Sequence, residues 1–159
     1  MTTTLSQVCL VTKMREVYLA QAEHIQAIAE LEKATFTHPA SENALGMFVE
    51  NKDAFCVVLL EDGDLGSYCT VTTVLDEAQI INVATAERYK RQGCADAVIS
   101  GVIDECKRRD IVSISLEVRE SNAPAISLYE KFGFFVAGKR KNFYTDPREN
   151  ALVMIKNLD

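Results

Sequence analysis

The chain has no tryptophan, two histidines (His24 and His38), three prolines and seven glycines in 159 residues. Its five cysteines, Cys9, Cys56, Cys69, Cys94 and Cys106, are scattered and never form a Cys-x-x-Cys pair. With so few histidines to join them, a zinc framework is excluded, and an odd, dispersed set reads as reduced core thiols rather than a disulfide scaffold. No metal is expected. No apolar run approaches the roughly 20 residues of a membrane-spanning helix. Glycine is too sparse for a three-glycine dinucleotide fingerprint, and no Gly-Lys-Ser/Thr run is present. Basic residues are outnumbered 17 to 23, and the resulting net charge of -6 argues against nucleic acid as a ligand, because displacing counterions needs a basic face.

What remains is ordinary globular material, 48% hydrophobic and 25% charged. The length suits one domain, residues 1–159, with a sizeable core. No repeat, low-complexity tract or Pro/Gly-rich linker divides it. Met1 to Gln7 is polar and lacks the basic and apolar regions of a signal peptide, so a cytoplasmic location is the expectation, with no membrane partner.

The stretch Tyr89-Lys90-Arg91-Gln92-Gly93-Cys94-Ala95-Asp96 carries the most chemistry. Val98, Ile99, Val102, Ile103 and Cys106 then recur at helical spacing, and Lys107, Arg108 and Arg109 crowd the far end, where cations suit the dipole. A small-residue loop opening a helix offers unpaired backbone N–H groups and partial positive charge to an anion, and Arg88, Lys90 and Arg91 add charge beside it. Gly93 alone could equally shape a turn. Cys94, at a helix N-terminus, is either a thiol that ionises readily or a small spacer.

Patterning supplies the other elements. A first strand is expected near Val8 to Arg15, then a helix carrying Ile25, Ile28 and Leu31, a loop from Thr35 to Ala40, and a helix after Ser41 with Leu45 and Phe48 inward. Phe55, Val57 and Leu59 alternate into a turn at Glu61-Asp62-Gly63-Asp64, with a return strand from Leu65 towards Leu75. Ile80 to Thr85 and Ile111 to Arg119 read as strands, and Phe134 to Gly138 and Ala151 to Lys156 as closing strands. Between them, Asn122, Pro124 and Gly133 delimit a short helix with Ile126, Tyr129 and Phe132 on one face. In the strand before it, Val112, Ile114, Leu116 and Val118 form an apolar face, so Ser113, Ser115, Glu117 and Arg119 face either solvent or a cleft.

The loop at Gly93 followed by Asn122-Ala123 and Leu128-Tyr129-Glu130-Lys131-Phe132-Gly133-Phe134 resembles the GNAT superfamily of acetyl-CoA-dependent N-acetyltransferases. Asp76-Glu77-Ala78, Asn82-Val83-Ala84, Leu116-Glu117-Val118-Arg119, Ser121-Asn122 and Asn142-Phe143-Tyr144 are similar to its RimI-like branch, the bacterial ribosomal-protein alanine N-acetyltransferases. The resemblance runs from about Leu75 to Met154 and implies an α/β fold with a mixed sheet whose fourth and fifth strands splay apart around acetyl-CoA. It implies a bulge near Asn82 to Ala84, with Val83, Ala84 and Thr85 against the pantetheine arm, and pyrophosphate held at Arg91, Gln92, Gly93, Cys94, Ala95 and Asp96. Asn122 would contact the cofactor as well as cap a helix. Glu117 matches the base and Tyr129 the acid that protonates the departing thiolate.

Phe143 and Tyr144 match an aromatic pair between the last two strands, either a wall for the amine or simple hairpin packing. Glu32 and Glu42 could complement a basic peptide. The resemblance implies a protein N-terminal α-amine as acceptor; a small-molecule amine, a protein lysine or a non-catalytic coenzyme A-binding role are the alternatives, and the sequence leaves monomer and homodimer both open. Lys90, Ala95 and Asn150 depart from the usual pattern. So does Phe36-Thr37-His38-Pro39-Ala40-Ser41, where a Pro-Trp pair is usual near the acceptor.

Overall fold

A computed structural model describes residues 14–159. Seven strands form one sheet in the order β1-β2-β3-β4-β5-β7-β6. They are β1 (Arg15–Leu19), β2 (Ala54–Glu61), β3 (Asp64–Val74), β4 (Glu77–Thr85), β5 (Ser113–Arg119), β6 (Phe135–Thr145) and β7 (Arg148–Asn157). Among the described residues four α-helices, α1 (Ile25–Thr35), α2 (Glu42–Glu50), α3 (Cys94–Arg108) and α4 (Ala123–Lys131), and two short 3-10 helices, Ala22–His24 and Glu87–Tyr89, complete the fold. The expected mixed α/β architecture is therefore present. No helix among the described residues is long and apolar enough to cross a membrane.

The sheet is covered on both faces, and β2 shows why. Phe55, Val57 and Leu59 pack with Val98, Ile99 and Val102 of α3, whereas Cys56 and Val58 pack with Ile28 of α1 and Leu45 of α2. A strand buried on both sides carries a continuous apolar run, so alternation reveals only half of its contacts. Cys56, Cys69, Cys94 and Cys106 are free and buried. The expected first strand lies largely outside the described residues; β1 begins where that expectation ended, and all five of its residues are exposed along the sheet edge. Val112 also leaves the expected apolar face. It precedes β5 and is 49% exposed, while Ile114, Leu116 and Val118 point into the core.

The sheet's parallel pairing is short. β4 and β5 are registered only at Glu77 with Ser113, Ala78 with Ile114 and Gln79 with Ser115. Beyond Gln79 the strands part, and the edge of β4 loses its β5 neighbour. On its other side β4 stays paired with β3, but the register slips so that Thr70 faces Asn82 and Val71 faces Ile80, leaving Ile81 as the extra residue. The bulge thus sits immediately ahead of the expected Asn82 to Ala84.

The closing hairpin is longer than its sequence suggests. β6 continues to Thr145 through a register irregularity between Arg140 and Tyr144, so Phe143 and Tyr144 belong to a strand instead of a connection. The segment is exposed almost throughout, which removes the apolar alternation that marks a strand.

Candidate active site

The loop before α3 is built around two left-handed residues, Arg91 (φ 61°) and Gly93 (φ 76°). Gly93 is the N-cap of α3 and its carbonyl accepts from Ala97 N–H at 3.1 Å, which leaves the N–H groups of the first turn without partners inside the helix. Arg15 braces the loop from below: its Nη2 donates to the Gln92 carbonyl at 2.9 Å, while Nε donates to Glu61 Oε1 at 2.6 Å. This support was invisible in sequence, since Arg15 and Gln92 lie 77 positions apart.

The basic run is only partly available to a ligand. Arg88 pairs with Asp64 and Lys90 with Glu87, each at 2.8 Å, whereas Arg91 makes no ion pair among the described residues. Asp96, in the first turn of α3, is bound by Lys131 of α4 at 2.6 Å, so its negative charge at that helix N-terminus is offset. Cys94 behaves opposite to the ready-ionisation expectation. Its thiol is buried and its pKa is raised, first by burial and then by neighbouring Glu61, against the lowering influence of Arg15. Desolvation outweighs the helix terminus here, and Cys94 is a small core residue.

A cleft of about 1350 Å³ follows the parting of β4 and β5. Leu116 and Val118, from the core-facing side of β5, line it together with Glu117 and Arg119 from the opposite side, so it passes through the sheet. Along it lie Val83, Ala84, Thr85, Arg91, Gly93, Cys94, Ala95, Asp96 and Asn122. Gln92 is not among the lining residues: its side chain donates to the Arg88 carbonyl at 3.0 Å and shapes the loop from within. Asn122 caps α4, its Oδ1 accepting from Ala125 N–H at 3.3 Å.

Glu117 enters the cleft from β5, where β7 pairs it on one side through Val153. Gln79, the last β4 residue paired with β5, donates through Nε2 to Glu117 Oε2 at 2.9 Å. Arg140 Nε lies 3.7 Å from the other carboxylate oxygen. Neither neighbour was singled out in sequence. The Gln79 contact has a legible precursor only after strand register is known, because Gln79 faces Ser115, two residues from Glu117.

Tyr129 also lines the cleft, from the α3/α4 side, with its ring edge-on to Phe134 at 5.6 Å. Burial raises its phenol pKa above the ordinary value of 10, with smaller contributions from Cys69 and Tyr144. It therefore holds its proton throughout the neutral range.

Phe143 and Tyr144 stand on the Glu117 side, edge to face at 5.1 Å. Arg119 stacks over Tyr144 at 4.2 Å and pairs with Glu149 at 3.2 Å, while donating to the carbonyls of Pro147 and Asp146. Glu149 in turn accepts from Ser121 N–H at 2.7 Å, and the Ser121 side chain, then its backbone N–H, then Arg119 hold its carboxyl below the usual carboxylate range. Thr35 to His38 close the same side. Neither acidic residue that could have complemented a basic peptide lines the cleft: Glu32 is fully buried, and Glu42 lines a separate depression of about 470 Å³ beside α2.

A splayed mixed sheet, with a tight loop opening a helix on one side and a carboxylate and phenol along the seam, is the architecture of an acyl-transfer enzyme. Residues 25–134 match the Acetyltransferase (GNAT) family model, and the chain belongs to that family as an N-acetyltransferase. It is similar over 133 residues, at 40% identity, to a Bacillus subtilis (strain 168) protein named "Putative ribosomal protein bS18-alanine N-acetyltransferase", covering 83% of this chain and 88% of that one. The Escherichia coli (strain K12) ribosomal protein bS18-alanine N-acetyltransferase is 43% identical over 98 residues, 60% of this chain and 66% of the relative. The crystal structure of the ribosomal-protein-S18-alanine N-acetyltransferase from Escherichia coli superposes with a TM-score of 0.84 at 32% identity, covering 92% of this chain and 95% of that one.

Proposed function

We propose that this enzyme transfers acetyl from acetyl-CoA to the N-terminal α-amine of a protein, with the alanine terminus of ribosomal protein bS18 as the acceptor. The observation that carries this reading is the cleft through the β4/β5 seam, which is open to a thioester from the α3 side and to an amine from the Phe143 side. The names of the relatives support the choice of acceptor. Acetyl-CoA fits the residues present: Gly93 and the first turn of α3 receive pyrophosphate, and the unpaired edge of β4 at Val83 to Thr85 receives the pantetheine amides.

In this reading the amine attacks the thioester carbonyl, a C–N bond forms and the C–S bond breaks. Glu117, directly or through water, removes the amine proton, backbone N–H groups of β4 beyond the bulge hold the carbonyl oxygen, and Tyr129 protonates the leaving thiolate. Gln79 and Arg140 fix the carboxylate for that step. An α-amine, with a pKa of about 7.7 to 8.0, is deprotonated at roughly 3 to 4 kcal/mol lower cost than a lysine near 10.4, which suits a carboxylate base.

Gln79→Leu removes the N–H that holds Glu117. The turnover constant kcat is expected to fall about tenfold, the usual scale for a hydrogen bond to a charged group. Steady-state rates indistinguishable from the parent would release Glu117 from any dependence on Gln79.

The acceptor is tested by mass spectrometry of acetyl transfer to peptides beginning Ala-Arg, Ser, Met or Gly, beside N-blocked lysine peptides and polyamines. The expected result is rapid modification of the Ala-starting α-amine. Activity confined to lysine or polyamines would reject the N-terminal reading; the loop at Phe36 to Ser41, which lacks a tryptophan, favours that second reading.

A further inference from the structure

Among the described residues Glu32 is the one fully buried acidic residue, and none of their guanidinium or ammonium groups lies within 4.0 Å of it. Its carboxylate instead gathers neutral donors from three parts of the chain. Oε1 accepts from the Tyr68 hydroxyl of β3 at 2.5 Å and from Asn82 Nδ2 of β4 at 3.0 Å, and Oε2 accepts from Ala40 N–H, in the loop between α1 and α2, at 3.0 Å. Three donors converge, and a group offering only acceptors satisfies all of them; an amide would turn an N–H towards one.

The positions of those donors give the carboxylate its significance. Asn82 follows the bulged residue Ile81, and its backbone N–H is already taken by Thr70 Oγ1 at 3.1 Å, so the side chain is left to report where the bulge sits. Ala40 ends the segment whose residues Phe36, Thr37 and His38 line the cleft on the amine side. Glu32 thus touches the acceptor loop with one oxygen and the thioester-facing strand with the other.

We propose that Glu32 is a positioning residue that sets the acceptor loop against the bulged strand β4, fixing the approach of the amine to the thioester. The proposal rests on the reading above that the amine enters past Phe36 to His38. Glu32 does not touch the reacting atoms; it acts through Ala40 and Asn82.

The test uses whichever amine the parent enzyme acetylates. For Glu32→Gln, kcat/KM for the acceptor is expected to fall at least tenfold, with acetyl-CoA affinity by calorimetry unchanged within twofold. Tyr68→Phe, which keeps the Asn82 and Ala40 bonds, should show the same split at roughly threefold, and it serves if Glu32→Gln does not fold. In the parent, the Ala40 amide should exchange at least tenfold more slowly than the His38 amide, a readout that needs no substrate. A folded variant with unchanged acceptor kinetics, acetyl-CoA affinity falling in parallel, or rapid Ala40 exchange would each overturn the role. A parent that acetylates only lysine would reject the proposed acceptor while leaving this test intact.

Discussion

Gly93→Asp should weaken acetyl-CoA binding at least 100-fold while leaving the protein folded. A Cβ at Gly93 would meet nothing nearer than Arg15 Nη1 at 3.8 Å, so no core contact is displaced. The φ of 76° costs any L-residue about 1 kcal/mol, least of all Asp or Asn. What changes is the anion cradle. A carboxylate at the N-cap accepts the N–H groups that the pyrophosphate would use, and it adds negative charge where two phosphates must lie. Gly93→Ala separates the terms, because it carries the backbone strain without the charge and should lose only several-fold. Calorimetry decides, and parent-like affinity in Gly93→Asp would remove this loop from the coenzyme site.

Tyr129→Phe should lower kcat about 100-fold, within the usual range for a general acid, and leave acetyl-CoA affinity within twofold. The ring keeps its edge contact with Phe134, so packing is largely conserved. Its direction of titration provides a second check. Because burial holds the phenol pKa above 10, the acid remains protonated as pH rises through 8 and 9, and the parent should show no loss of kcat from this group below pH 10. Equal kcat for mutant and parent would reject its acid role, whereas a parent rate that collapses near pH 8.5 with a step absent from Tyr129→Phe would keep that role and overturn the raised phenol pKa.

The places of both residues in the fold were legible in the sequence because their surroundings are local, whereas the roles given to them came from the family resemblance. Gly93 stands between a strand and a strongly periodic helix, and Tyr129 lies in a helix bracketed by Asn122, Pro124 and Gly133, each with a fixed local meaning. Glu117 was legible to the extent that strand alternation turned it away from Leu116 and Val118; the cleft it faces depends on β4 diverging from β5, which periodicity cannot express. Pairings between distant positions were silent. Glu32 meets Asn82 across 50 positions and Gln79 meets Glu117 across 38, and an isolated polar residue in a helix or strand carries no mark of its partner. Of the two readings of Cys94, the sequence could not choose for a related reason: its place at a helix terminus is local, but the burial that raises its thiol pKa and leaves it a small spacer comes from the whole core.

The three paired positions joining β4 to β5 also have a mechanical meaning. They divide the sheet into a leaf of four strands and a leaf of three, fastened at one end like a partly opened book. A pantetheine arm seated in the opening would supply rungs that the protein omits, bridging the two leaves as an added strand would. Load applied across the leaves should then be resisted more strongly with the ligand in place, and a saturating ligand at 100 times its Kd would raise resistance to unfolding by about 2.7 kcal/mol. The molecule consumed in turnover would serve, while it is bound, as a strut of the enzyme's own sheet.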